Sequence, residues 1–432
     1  MPDLIHTPVG RFLDALGAFP VRLLTPLAAG KGRRLGPLWP HQWFLSVGAA
    51  AMFCVPHASW NNLYGVLFAA AALLLYWWDC AARGVRPWNS AGLGGGVWLF
   101  LLMCLVCTIW AADRAASLRV ALFYLTGFAL AYLIAAAFRE ENAADILTAA
   151  LYAALLFTAV YGILVYFTGE SVYTVPIGGR LVPRLCSTLE HAINYGEFAA
   201  LLLPAALIWA LRRRTKAARW VLSLALVLPC AAVVLTYSRT GWISLGAAAL
   251  VLLWHKDKRL LIPAAVAAVL GIFLLPGDVQ ARFLSMLHPS DAASSGRFTL
   301  WSECLGMLQK HWLLGVGLGP ENFYRAYLPF ATGVLDFQPP HSNMGYLEIF
   351  LSTGILGFLA FLSFFLGIFP RLRRTVRRTE AKERWPLYAL TASLCGAAVG
   401  NIPEYIWFYP RVLFAWCIVF GLALAKTQPK HS

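Results

Sequence analysis

An arginine, Arg239, stands in the stretch LTYSRTGWISLGAAAL, between two apolar runs and with no acidic residue in the flanking sequence. A second, Arg297, opens GRFTLWSECLGMLQKHWLLG, and His341 stands in PPHSNMGYLE just ahead of another apolar run. Arg180 and Arg184 fall in an earlier polar stretch that continues to Glu190 and His191. These residue types suit one kind of chemistry. Guanidinium forks bind phosphate oxygens in pairs, and arginines can stabilise a departing diphosphate without a metal. A neutral imidazole, with an ordinary pKa of about 6.5, can take a proton from an attacking hydroxyl. Together they imply transfer of a group from a lipid diphosphate to an acceptor hydroxyl.

Each residue also has a plainer reading. Arg239 is placed to begin a helix, where unpaired backbone N–H groups and the positive dipole end favour anions and disfavour a cation. An anionic ligand relieves that conflict; so does snorkelling to the interface, or pairing with Glu190 or Asp336. Arg297 taken alone is a solvated helix start, and His341 an interfacial histidine with its hydrogen bonds met. Other chemistries lack their signatures. The chain has no H-E-x-x-H, no Walker A spacing and no D-x-D pair, and no Ser/His/Asp set is evident. Gly315, Gly317 and Gly319 form a G-x-G-x-G, but Pro320 follows and no parallel-strand context surrounds them, so they read as a turn. No metal site and no cofactor are expected.

The elements that must carry these residues follow from composition. The 432 residues are 60% hydrophobic and only 13% charged, which sets the chain outside the range of soluble domains. The apolar residues come in blocks near the length of about 20 that crosses a bilayer. The fold class expected is therefore an all-α polytopic membrane protein. About twelve spans are read, at 41–56, 60–79, 91–111, 117–138, 146–168, 192–211, 218–236, 240–254, 260–276, 344–369, 386–402 and 406–425. They divide the chain into an interfacial N-terminal segment (1–40), nine spans (41–276) with a polar loop at 169–191, a long loop (277–343), three further spans (344–425) and a tail (426–432).

The formal net charge of +15 would suggest nucleic acid in a soluble protein. Here most of the 35 Lys and Arg gather on one side of the expected bundle, including RRRTKAAR at 212–219 and RLRRTVRRTEAKER at 371–384. The positive-inside rule makes that side cytoplasmic, with both termini on it, and no nucleic-acid partner is expected. The two long loops then face the opposite compartment, together with Arg180, Arg184, Arg239, Arg297 and His341. Within the second loop, Phe298, Leu300, Trp301, Leu305 and Leu308 mark an amphipathic helix expected to fold back over the bundle. Of nine cysteines, only Cys186 and Cys304 fall in long loops, where a disulfide between them is conceivable.

The stretches around Arg239, Arg297 and His341, in that order and spacing, resemble the bacterial O-antigen ligase/polymerase superfamily, and most of all the O-antigen ligases. STLEHAINYGEFAALLLP at 187–204 resembles the family segment that opens the span before the arginine motif. The resemblance implies a GT-C-like glycosyltransferase bundle with a long helical periplasmic loop, in a Gram-negative inner membrane. It implies transfer of an O-antigen glycan from undecaprenyl diphosphate to a sugar hydroxyl of lipid A–core, without metal and with inversion. By the same resemblance His341 is the general base, and Arg239, Arg297, Arg184 and Arg180 hold the diphosphate. The expected substrate-binding set extends to His191, Glu190, Asn194, Asn343 and Tyr237. The expected partners are the lipid-linked donor, the lipid A–core acceptor and bilayer lipids. An O-antigen polymerase, a protein O-oligosaccharyltransferase and a flippase for a lipid-linked anion are the alternatives.

Overall fold

A computed structural model describes residues 7–56, 63–170, 173–287, 292–333 and 338–428. Apolar chain in lipid must satisfy its backbone within the segment, and helices do so. In chain order these are α1 (Pro8–Ala28), α2 (Pro40–Cys54), α3 (Leu63–Arg83), α4 (Gly95–Val106), α5 (Arg114–Ala137) and α6 (Glu141–Thr168). A hairpin follows, β1 (Thr174–Ile177) with β2 (Arg180–Pro183), and then α7 (Ala192–Leu211), α8 (Lys216–Ala225), α9 (Val227–Leu235) and α10 (Arg239–Lys256). The rest are α11 (Leu261–Phe273), α12 (Gly277–Leu284), α13 (Ala292–His311), α14 (Pro320–Tyr327), α15 (Gly345–Phe365), α16 (Ile368–Arg378), α17 (Trp385–Gly400) and α18 (Pro410–Thr427).

Among the described residues, a helix lies within each segment expected to cross the bilayer, with α8 and α9 together forming one of them. Among the described residues, seven helical stretches are long and apolar enough to cross a membrane: α3, α5, α6, α7, α8–α9, α15–α16 and α18. The protein is a helical multi-pass membrane protein. Of the other expected spans, α2, α4, α11 and α17 are shorter, and α10 carries charge at both ends. Helix α1 is capped by Thr7, whose hydroxyl accepts the Gly10 N–H at 3.1 Å. It exposes Val9, Phe12, Leu16, Phe19, Leu23 and Leu27, spaced by threes and fours into one apolar stripe, while its other face packs on α3.

Two close approaches position the functional face. Helices α7 and α10 cross at Gly196 and Gly241, where a Cβ on Gly241 would meet the Gly196 Cα at 2.9 Å. That contact sets the beginnings of the two helices side by side. The second is a break in α15 at Gly354, whose φ of 68° and ψ of −173° interrupt the helix. The turn after α13 fills the break: Val316 N–H donates to Leu351 O at 2.9 Å, Gly317 N–H to Ser352 O at 3.1 Å and Ile355 N–H to Trp312 O at 2.9 Å. Gly315, Gly317 and Gly319 all have positive φ there, so the G-x-G-x-G is a turn laid into a helix.

The structure departs from the expectations in two places. The segment YTVPIGGRLVP forms a hairpin in an otherwise helical chain, registered as Val175 opposite Val182, with Gly178 and Gly179 at positive φ in the turn. Its inward residues Val175, Ile177 and Val182 pack with Tyr237 and Val279. Helix α13 folds back over the bundle on Leu300, Cys304 and Met307, whereas Phe298 and Leu305 are more than half exposed. Cys186 and Cys304 are buried free thiols, and no bridge joins them.

Candidate functional site

The site is assembled from turns stitched together by backbone. Leu185 N–H donates to Leu235 O at 2.9 Å, and Arg184 Nε donates to Thr236 O at 2.8 Å. The loop before α7 is thereby fixed to the α9–α10 junction. Ser238 caps α10 by accepting the Gly241 N–H at 3.2 Å, and Arg239 is the first residue of that helix. On the other side, Gly345 N–H, at the start of α15, lies between Asn401 O (2.9 Å) and Glu404 O (3.1 Å). Trp301 of α13 donates its indole N–H to Ser342 O at 3.0 Å, which fixes α13 to the His341 turn. Arg297, one helical turn earlier, reaches the Glu404 carboxylate at 2.9 Å.

His191, Asn194, Glu197, Arg297, His341, Asn343, Glu404, Tyr405 and Tyr409 line a cavity of about 220 Å³. His341 is buried, with Phe408 at 4.3 Å and Tyr405 at 5.7 Å between ring centroids. Its Nδ1 accepts the Asn343 N–H at 3.1 Å, so in the neutral ring the proton sits on Nε2. Burial first, then the charges of Arg297 and His191, push His341 down to about 3. Burial and Arg184 likewise push His191 down to about 4. The Arg184 guanidinium is pulled below its usual range by burial; Cys186 and Glu404 oppose this, and Arg297 and Arg239 add to it. Arg184 is tied to the α9–α10 junction that Arg239 opens, and its charge is felt by Glu404, Arg297 and Arg239.

The backbone is strained around this same face. Among the described non-glycine residues, positive φ occurs at Ser187, Glu190, Tyr237 and Asn343. All four lie in the turns that carry Arg184, His191, Arg239 and His341. Such conformations cost of order 1–3 kcal/mol each and persist where the surroundings over-determine them. Asn194 helps to do so, its side-chain amide donating to Leu189 O at 3.0 Å. Arg411, fully buried at the start of α18, also holds this loop by donating to Thr188 O.

The structure thus lines one cavity with Arg297, His191, Asn194, Asn343 and His341, and bonds Arg184 to the α9–α10 junction that Arg239 opens, with Glu190 and Tyr237 in the neighbouring turns. Arg180 lies apart on the hairpin, with its side chain 80% exposed and 3.7 Å from Asp278. Asp336, one of the partners considered for Arg239, lies outside the described residues. Sequence reasoning missed Glu404, Tyr405 and Tyr409. They sit in NIPEYIWFYP, where a carboxylate beside two helix ends was the available signal. Burial raises the Glu404 carboxyl above the ordinary carboxylate range, against the pull of Arg297, the Tyr405 N–H and Arg184. Among the described residues, no group of three or more His, Cys, Asp and Glu side chains is placed to hold a metal ion.

A multi-pass helical membrane protein with a cavity lined by His191, Arg297, His341 and Glu404 is the class that fold and site define. Residues 224–362, about a third of the chain, match the O-antigen ligase family model (Wzy_C), which supports the resemblance to the O-antigen ligase/polymerase superfamily. The matched stretch includes Arg239, Arg297 and His341, and excludes Arg184, His191 and Glu404. No curated protein matches the chain.

Proposed function

We propose that the protein is an O-antigen ligase, which moves a glycan from undecaprenyl diphosphate to a sugar hydroxyl of lipid A–core on the periplasmic face of the inner membrane. The observation that carries this reading is a cavity lined by His341 and Arg297 together with His191, Asn194 and Asn343, while Arg184 is bonded to the α9–α10 junction that Arg239 opens. In this reading the helical segments cross as twelve spans of a GT-C-like bundle, with both termini cytoplasmic. Arg239 and Arg297 hold the diphosphate, Arg184 adds charge at its edge, and Arg180 is available from the hairpin to the outer part of the donor. The acceptor enters beside Asn343, Asn194 and His191.

The acceptor oxygen attacks the anomeric carbon from the side opposite the diphosphate. The carbon–oxygen bond to phosphate breaks, and its electron pair leaves on the diphosphate, where the arginines stabilise it. His341 takes the hydroxyl proton at Nδ1, the unprotonated nitrogen, and keeps its own hydrogen on Nε2. The acceptor hydroxyl replaces the Asn343 N–H at Nδ1. In-line displacement inverts the anomeric centre, and no metal or cofactor takes part.

The test is transfer by purified protein from an undecaprenyl-diphosphate-linked glycan to lipid A–core, with His341 intact or replaced by alanine. Glycan appearing on lipid A–core only with His341 present supports the reading. Extension of a second lipid-linked chain would identify a polymerase instead, and glycan on Ser or Thr of a protein an oligosaccharyltransferase. Absence of any transfer, with donor moved across a vesicle membrane, would identify a flippase.

A further inference from the structure

Among the described residues, Glu404 is the carboxylate paired with an arginine of the site. Glu404 follows Pro403 in the turn between α17 and α18, and it is buried to 5%. Its Oε2 accepts from Arg297 at 2.9 Å and its Oε1 from the Tyr405 N–H at 3.2 Å. It also acts on Arg184 as an opposite charge. The backbone fixes it as well, because Glu404 O accepts the Gly345 N–H at the start of α15. The segment that carries the carboxylate is thereby tied to the start of α15.

A diphosphate seated on the same arginines brings its charge against this carboxylate in a setting of low dielectric, where like charges repel strongly. Truncating or neutralising a buried charge partner ordinarily weakens a site, but here the partner and the ligand carry the same sign. We propose that Glu404 is the resident counter-ion of the arginine cluster, competing with lipid diphosphate for Arg297 and so helping to expel the spent lipid diphosphate after transfer. The inference rests on the reading of the arginines as a diphosphate site. It gives Glu404 a positioning role exerted through Arg297, distinct from contact with the reacting atoms. Such a device suits an enzyme whose donor and by-product share one headgroup, since tight binding of the by-product would stall the next cycle.

The test uses the full-length protein in detergent, with farnesyl diphosphate as the probe of the headgroup site. Glu404→Gln keeps the size and the acceptor for Arg297 but removes the charge. It is expected to bind the probe about tenfold more tightly or better, a gain of about 1.4 kcal/mol. Glu404→Asp, which keeps the charge, is expected to stay near wild type. In steady-state transfer the Gln variant is expected to lower the donor KM and kcat together, because the by-product leaves more slowly. A merely structural role would raise KM instead. If the Gln variant does not fold, Glu404→Ala removes the same charge and carries the same expectation. Unchanged or weaker binding by the neutral variants, or equal tightening by Asp and Gln, overturns the inference while leaving the site reading intact. Failure of the wild type itself to bind farnesyl diphosphate overturns the diphosphate reading, and the inference with it.

Discussion

His341 in the empty site is a weak base, and the donor is expected to strengthen it. Burial, Arg297 and His191 hold it down to about 3. Placing a proton on it at neutral pH then costs about 5 kcal/mol, taking roughly 1.4 kcal/mol for each pH unit. A unit negative charge about 5 Å from the ring, at an effective dielectric of about 20, returns about 3 kcal/mol. A sugar-linked diphosphate brings two charges, shared with the arginines, so the donor-bound ring is expected to titrate between about 6 and 7. The assay is transfer from about pH 5 to pH 8 at saturating acceptor, with donor varied. The ratio kcat/KM follows the donor-free enzyme and kcat the donor-bound one. A base must be unprotonated, so kcat is expected to fall on the acid side, about tenfold per pH unit below its pKa. Over the same range kcat/KM shows no limb from His341, whose donor-free pKa lies lower. A kcat that stays flat to pH 5, or kcat and kcat/KM bending together, would refute the reasoning.

Three further outcomes are expected. Arg239→Lys keeps the charge but loses the planar fork, and should lower kcat/KM by about tenfold to a hundredfold, as for a charged hydrogen bond worth about 1.5–3 kcal/mol; a loss below threefold counts against diphosphate binding there. Arg184→Ala should cost more activity than Arg180→Ala, because Arg184 is tied to the Thr236 carbonyl beside the other arginines while Arg180 meets only Asp278 at an exposed site; parallel rate measurements on the two variants decide it. Gly354→Ala should destabilise the protein by about 2–4 kcal/mol, since its φ is +68° and a Cβ would lie 2.3 Å from Leu313 O. Thermal inactivation in detergent at the wild-type midpoint would contradict this.

Much of the architecture was legible because lipid imposes a simple rule. Apolar runs near bilayer length become helices, and seven of the helical stretches are long and apolar enough to cross a membrane. The arginine at the start of α10 was also legible, as S-R-T-G opening an apolar run. Two things were hidden for physical reasons. The hairpin offered a Gly-Gly turn between β-branched residues, but a short strand signal is weak beside long apolar runs. Glu404 was missed because its importance is a matter of distance: it stands 107 residues from Arg297 in the chain and 2.9 Å from it in space. The strained φ values at Glu190, Tyr237 and Asn343 have no sequence signature either, since tertiary contacts impose them.

The break in α15 makes that helix and the turn before it depend on each other. On either side of Gly354 the helix is too short to span a bilayer alone, and its freed backbone groups near Leu351, Ser352 and Ile355 find partners only in residues 312–317. The turn and the break therefore satisfy one another, and neither has its backbone bonds met without the other. A protease cut or a misplaced loop would be felt first as a helix that fails to settle in the membrane, before any effect on chemistry.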